Sequence, residues 1–299
     1  MKGHYQFDSR SSAQRLVNIG CGRTVHPGWV NIDLVPSAPG VIKHNLCCGL
    51  PFADDQVDAI YHSHVLEHLG PEQGERMLRE CYRVLRPGGI LRIVVPDLEQ
   101  IARLYLDYHQ RAWQGDQEAI QRYEWIKLEL IDQMVRCNSG GKMGPYLIQL
   151  DGPDAEFVRS RLGQEVLQAV EFERSRKGQE AAKTPSLRQR VKVLRERFAL
   201  WSVGRILGRN AAAAFAESLF RNRGEIHRWM YDRYSLQTAC NKLGFTDFQV
   251  QSAESSLIPE FDRYQLDREG AVVRKPDSLF CECRKPGTAA TAHSRSAAA

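Results

Sequence analysis

A chain of 299 residues with 42% hydrophobic and 26% charged side chains is too long for a disulfide-stapled mini-protein and too apolar for a disordered chain. Its formal net charge of +5 is mild and by itself selects no partner. There is no run of about 18 apolar residues and no apolar leader core in the first ten residues, and the eight cysteines form no C-x-x-C pair, so a reducing cytoplasm is expected rather than export, a disulfide framework or a zinc site.

Leu16 to Ile19 is an apolar run ending at Gly20-Cys21-Gly22, which predicts a buried strand breaking into a glycine turn. Val30 to Asp33 is a second short strand that ends in a carboxylate, and Val41 to Leu46 is a weaker third. Val57 to His62 is β-branched and reads as the fourth. Met77, Leu78, Cys81, Tyr82, Val84 and Leu85 fall at helical spacing, with Pro71 suited to the first turn. Arg86-Pro87-Gly88-Gly89 stops that helix, and Ile90 to Val95 is the clearest buried strand of the chain. Strands alternating with helices predict a mostly parallel α/β sheet.

From 98 to 225 the strand signals vanish and helical spacing takes over. Asn138 to Pro145 interrupts it as a glycine-rich loop, but the P-loop spacing is absent and Lys142 is followed by Met143 rather than Ser or Thr. The α/β pattern returns with a helix over Ser235 to Leu243 and strands over Phe245 to Gln251 and Ser278 to Cys283. The tail, 286–299, cannot bury a core and is predicted to be disordered.

The G-x-G turn at 20–22 lets a backbone approach a ligand where a side chain would collide. Asp33 closes the next strand, where nucleotide folds hold a ribose, so the pair points to an adenosine-type cofactor at the carboxyl edge of the sheet. The third glycine of the dinucleotide fingerprint is missing and the acid comes only 13 residues after Gly20, which disfavours nicotinamide. Eight residues separate Gly22 from Asn31, fewer than a crossover helix needs. A turn around Pro27-Gly28-Trp29 is predicted instead, with Trp29 packed across the cofactor pocket.

Three blocks in this order and spacing, VNIGCG at 17–22, LPFADDQVDAIYHSHVLEHL at 50–69 and RECYRVLRPGGILRIVVPD at 79–97, resemble the class I S-adenosylmethionine (SAM) dependent methyltransferases. EIHRWMYDRYSL and KPDSLFCECRKP, within 226–285 and its borders, look like the closing part of members associated with surface-glycan and glycoside pathways. The resemblance implies a Rossmann-like core over 1–97 and 226–285, with a large helical insertion over 98–225 after the fifth strand that caps the substrate. It implies SAM as cofactor. Gly20, Cys21 and Gly22 would line its methionine part through backbone groups. Asp33, with Leu34 beside it, would accept both ribose hydroxyls. Asn45, with Leu46 beside it, stands where the family usually has an acid facing the adenine amino group. Ser63 and His64 would edge the cofactor.

His64-Val65-Leu66-Glu67-His68 matches H-x-x-E-H, the inverted zinc-protease motif, but its place after a fourth strand argues against a protease. Some metal-dependent O-methyltransferases carry Glu-x-x-Glu-His at a similar place, and here His64 replaces the first Glu. The preferred expectation is metal-free, with Glu67 and His68 capping and orienting the next helix. Methyl transfer to a hydroxyl also needs a base. The candidates are His64, Asp97 after the fifth strand, and His227. Asp97 equally suits a helix cap before Leu98. His227 shares a face with Tyr231 if that segment is helical.

Residues 174–209 hold 11 Lys and Arg against Glu180 and Glu196 alone, and Leu187, Val191, Leu194, Phe198 and Trp201 recur at steps of 4, 3, 4 and 3. This predicts a basic amphipathic helix. Three readings stand: a solvated face, contact of 186–207 with the anionic inner face of a membrane, or recognition of an acidic acceptor. Nucleic acid ranks last because aromatics are not interleaved with the basic residues. The leading functional expectation is O-methylation of a sugar hydroxyl on a glycan, glycolipid or glycosylated metabolite. Beside it stand a small-molecule natural-product O- or N-methyltransferase and a SAM-binding interaction protein without turnover.

Overall fold

A computed structural model describes residues 5, 7, 14–150, 155–163 and 187–287. The expectations for the basic run before 187 and for most of the tail lie outside these residues. The described residues divide into two compact units, one within 1–106, 160–163 and 228–299, the other within 107–159 and 164–227.

The first unit is built on a seven-stranded sheet. Its strands are β1 (Leu16–Ile19), β2 (Val30–Asp33), β3 (Ile42–Lys43), β4 (Val57–Ser63), β5 (Leu85–Pro96), β6 (Thr246–Gln251) and β9 (Ser278–Arg284), in the order β3-β2-β1-β4-β5-β9-β6. β1 to β5 run parallel, and β9 runs against both β5 and β6. This is the Rossmann-like arrangement expected, with a helical unit inserted after β5. A small hairpin, β7 (Arg268–Glu269) with β8 (Val272–Val273), sits in the turn-rich stretch before β9.

Alternation along the strands sorts side chains to two faces. On one, Val17, Ile19, Ile60, Leu91, Ile93 and Cys281 are buried with Met77, Leu78 and Cys81 of α1 (Pro71–Val84) and Leu236 and Cys240 of α8 (Arg233–Lys242). On the other, Leu16, Ala59, Tyr61, Val94 and Phe280 are buried with Ile258, Phe261, Tyr264 and Leu266. Arg92 locks this second face. Its guanidinium has no exposed surface, donates to Asp267 (2.7 Å), Glu282 (2.8 Å) and the carbonyls of Ser252 and Ser255, and lies 4.7 Å from the Phe261 ring centre. A buried cation is tolerable only with such pairing, so the strandless 252–267 stretch is held by polar contacts as well as apolar ones.

Several expectations need correction. β3 is only two residues long, because Leu46–Cys48 forms a 3₁₀ turn capped by the Asn45 side chain. β5 begins at Leu85, which pairs with Val57 ahead of a register irregularity, so Arg86 to Gly89 lies inside the strand. No helix joins β1 to β2, which pair directly from Val17↔Val30 to Ile19↔Ile32. Trp29, however, is buried on the second face with its ring 5.3 Å from Tyr264 and 6.2 Å from Tyr61. It packs against the core, not across a cofactor pocket. Glu67 and His68 do not cap α1. Its N-cap is Gly70, whose N–H donates to the Gln73 side chain.

α2 (Leu98–Trp113) leads into the second unit, which also contains α3 (Gln117–Val135), α4 (Met143–Gln149), α6 (Leu187–Leu207) and α7 (Arg209–Arg221). Residues 155–163 are helical (α5) and are shared between the units. In the loop before α4, Gly140 N–H donates to Glu225 (2.8 Å) and Lys142 N–H to Asp132 (2.7 Å). Those amides already face carboxylates, so the loop is no phosphate cradle. No helix among the described residues is long and apolar enough to cross a membrane.

Candidate functional site

Because β1 to β5 are parallel, their carboxyl ends lie along one edge of the sheet. The chain order reverses between β1 and β4, and such a switch point opens a crevice outside the strand ends. Gly20, Cys21 and Gly22 follow β1, and Ser63 and His64 close and follow β4, on the two sides of that point. Asp33 and Leu34 close β2, Asn45 and Leu46 follow β3, and Asp97 follows β5. The topology thus puts the candidates of this unit on one edge.

The glycine turn needs its glycines. Gly20 and Gly22 have φ of 61° and 52°, in the left-handed region that side chains resist. A Cβ on Gly20 would overlap Val65 Cγ2, whereas one on Gly22 would meet nothing within 4 Å. The N–H groups of Gly20 and Cys21 donate to Ile32 O (2.8 and 3.2 Å), and that of Gly22 to Asp33 Oδ2 (2.9 Å). Asp33 Oδ1 accepts from Val35 N–H at 2.8 Å. All three turn amides are engaged inside the fold, and the Cys21 and Gly22 carbonyls accept from Thr24 N–H and the Ser37 hydroxyl, so the turn offers a ligand open space and the remaining carbonyl lone pairs rather than N–H donors. Burial, reinforced by Asp33, pushes the Cys21 thiol up to about 11, which keeps it neutral near pH 7. Leu34 is 56% exposed beside the carboxylate. Asn45 Oδ1 accepts from Cys47 N–H at 3.0 Å, which leaves it one acceptor position.

Across the switch point, His64 has φ of 54° and its N–H donates to Val94 O. That backbone aims the ring. Nε2 is 2.8 Å from Ser278 Oγ, and Nδ1 is 3.2 Å from Glu67 Oε1. Glu67 has no exposed surface, and neither of its oxygens makes a hydrogen bond of good geometry. Burial pushes its carboxyl up to about 8. A backbone hydrogen bond and the charge of Lys275 favour ionisation, but desolvation outweighs them, and the carboxyl keeps its proton near neutral pH. His62, on β4, is also fully buried without a hydrogen-bond partner for either ring nitrogen, and burial pushes it down to about 3.

Asp97 Oδ1 accepts from Gln100 N–H at 3.0 Å, so this carboxylate caps α2. His227 is buried in the second unit, and its N–H donates to Gln133 O at 2.9 Å. The segment around it is irregular, so the helical face expected for His227 and Tyr231 does not form. Sequence reasoning placed Ser278 at the start of a strand but gave it no role, because its partner His64 lies 214 residues away. It also missed a cleft of about 370 Å³ lined by Leu78, Trp229, Tyr231, Tyr234, Ser235 and Thr238.

The model of the methyltransferase domain family Methyltransf_11 matches residues 33–93. That stretch is similar to methyltransferase-domain sequence. It runs from the β2 carboxylate through His64 and α1 into β5. Over 56 residues the chain is 38% identical to a protein of Mycolicibacterium smegmatis described as "Probable S-adenosylmethionine-dependent methyltransferase". The match covers 19% of this chain and 21% of that protein, so the chain spans about a fifth of the length of this curated relative. Among solved structures, a SAM-dependent methyltransferase from Archaeoglobus fulgidus aligns with 92% of this chain and 87% of its own at 11% identity, with a TM-score of 0.36. Phosphoethanolamine N-methyltransferase 2 of Haemonchus contortus, in complex with SAM, aligns with 96% of this chain and 50% of its own at 12% identity and a TM-score of 0.34. At such scores these superpositions carry no weight here, and the fold rests on the strand order itself.

Proposed function

We propose that this protein is a SAM-dependent O-methyltransferase whose acceptor is a sugar hydroxyl on a glycan, glycolipid or glycosylated metabolite. The observation that carries the reading is His64 after β4 at the switch point, between Glu67 and Ser278, on the same edge of the sheet as the glycine turn and Asp33.

The residues present fit the cofactor. The methionine part of SAM bears an ammonium and a sulfonium, which suit carbonyl oxygens better than N–H donors. The open space above Gly22 and the engaged turn amides agree with that preference. Asp33 accepts two backbone donors and has acceptor positions left for a ribose diol. Leu34 offers an exposed apolar side chain beside it for a purine. When bound, SAM supplies an electrophilic methyl group on sulfur.

A hydroxyl acceptor must lose a proton as it is methylated. Glu67 Oε1 lies 3.2 Å from Nδ1 without a well-aligned hydrogen bond, close enough for its charge to bias which ring nitrogen carries the hydrogen, while Nε2 meets the Ser278 hydroxyl. Ionised Glu67 favours the ring form with its hydrogen on Nδ1, in which the Nε2 lone pair can exchange its Ser278 contact for the acceptor's proton. Glu67 and Ser278 thus position the ring, while His64 is the base. Asp97 is engaged as a helix cap and is not given the proton, and His227 belongs to the second unit, so the reading rests on His64 alone.

Trp229 and Tyr234 support the sugar reading. They are 44% and 75% exposed on the wall of the cleft described above, with Ser235 and Thr238 beside them. Flat aromatic faces suit the C–H face of a pyranose, and hydroxyls suit its rim. The test is incubation with methyl-labelled SAM and a panel of glycans, glycolipids, phenols and amines, followed by mass analysis of the products. A methyl group on a sugar oxygen supports the proposal. Transfer to nitrogen or to phenols alone, or none to any acceptor, overturns it.

A further inference from the structure

The apolar stripe foreseen on the basic helix does form on α6, but it is not buried. Val191, Leu194, Phe198 and Trp201 lie within about 80° of one another around the helix at 100° per residue. Leu194, Phe198 and Trp201 are each more than 60% exposed, and the rings of Phe198 and Trp201 stack at 5.9 Å. Over 196–203 the opposite side of α6 is the one that packs, whereas Val193 and Leu207 on that side are exposed. Glu196, Ala199, Leu200 and Val203 are half-buried, α7 lies against α6, and Glu196 pairs with Arg223 at 2.9 Å.

Charge is arranged around the stripe in a definite way. Arg197 lies along one edge and Arg195 along the other, both exposed, and Arg205 continues the stripe toward the helix end. The only acid of α6 is Glu196, which faces away. Ordinary surfaces do not carry contiguous large apolar side chains without a partner. Aromatic side chains at the centre with arginines at both margins match the layering of a lipid interface, apolar chains below and anionic headgroups beside. A water-soluble partner would have to be both apolar at its centre and acidic on both flanks. An anionic bilayer has that chemistry everywhere on its surface.

We propose that α6 docks the protein on anionic lipid surfaces, with Leu194, Phe198 and Trp201 inserted into the interface and Arg195 and Arg197 at headgroup level. This is independent of the methyl-transfer reading, since it rests on the second unit alone.

The test is flotation of the full chain with vesicles of phosphatidylcholine alone and of phosphatidylcholine with phosphatidylglycerol, at low and high salt. Binding is expected only to the mixed vesicles, and is expected to fall at least tenfold in high salt. F198S with W201S should lose at least tenfold in binding while keeping the wild-type melting curve, because these side chains are already exposed. R195E with R197E should lose binding to anionic vesicles to a similar extent. Wild type that ignores anionic vesicles at low salt overturns the proposal. So does wild type that sediments as a dimer dissociated by F198S, which would make a second copy the occupant. Vesicle binding unaffected by either variant pair also overturns it.

Discussion

Nδ1 of His64 stands 3.2 Å from Oε1 of Glu67, a carboxyl with no exposed surface, while Nε2 of the same ring stands 2.8 Å from the Ser278 hydroxyl. The imidazole therefore stands between a buried acid and a polar group of β9, and the charge of the acid biases which ring nitrogen carries the hydrogen. That makes the pair sensitive to pH in both activity and stability.

Burial lifts Glu67 from its ordinary value of 4.5 to about 8. Below about pH 4.5 the carboxyl is protonated both folded and unfolded, so its contribution is fully present. As pH rises toward 8, the unfolded chain ionises while the folded one keeps its proton, and stability is lost at about 1.4 kcal/mol per pH unit, or about 3 kcal/mol by pH 7. Glu67→Gln should flatten that slope in thermal melts. Methyl transfer should rise with pH through about 8 in wild type, as Glu67 ionises and Nε2 gives up its hydrogen. In the Gln variant the amide oxygen accepts from Nδ1–H at all pH values, so the rise should move down toward the range of an ordinary imidazole. Superimposable pH–rate profiles would remove Glu67 from the mechanism.

Gly20 and Gly22 separate backbone strain from ligand space. Gly20→Ala puts a methyl group into Val65 on a left-handed backbone and should cost about 2–4 kcal/mol of stability. Gly22→Ala meets no atom of the protein, so only the backbone cost of about 1–2 kcal/mol applies. If SAM lies over this turn, Gly22→Ala should still weaken it by more than tenfold. Denaturant curves and calorimetry on the two variants check this, and full SAM affinity in Gly22→Ala would move the cofactor elsewhere.

Trp229 and Tyr234 are expected to act on the acceptor alone. Replacing both by Ala should raise KM for the sugar about tenfold or more, with little change in kcat at saturation or in SAM affinity, the pattern of lost uniform binding. A fall in kcat without a change in KM would contradict a binding role.

Much of the sheet was legible because its strands are short apolar runs bounded by turn residues, as at Leu16–Ile19 and Val30–Asp33. The short β1–β2 connection was legible by counting. Trp29 was misplaced because the partners that bury it, Phe261 and Tyr264, come more than 200 residues later. The early part of β5 was hidden because Pro87, Gly88 and Gly89 look like a stop, and only the pairing of Leu85 with Val57 shows otherwise. The stripe on α6 was legible as a period, but periodicity cannot say whether a face meets protein or something else. At the site, Asp33 and His64 stand in local motifs, whereas Ser278 and the burial of Glu67 are products of tertiary packing.

Arg92 provides a stability test independent of catalysis. Arg92→Leu would leave Asp267 and Glu282 buried without their cation, and should cost about 3–5 kcal/mol in a urea titration. A loss below about 1 kcal/mol would mean that water or rearrangement relieves the two acids.

The most direct measurement is calorimetric titration of SAM into the wild-type chain and into Asp33→Ala. If the crevice between β1 and β4 holds the cofactor, wild type binds one SAM. The variant should bind it about 1.5–3 kcal/mol more weakly, roughly tenfold to more than a hundredfold, through loss of hydrogen bonds to a charged group. Equal affinity in the two proteins, or no binding by wild type, would contradict the assignment of this edge as a SAM site.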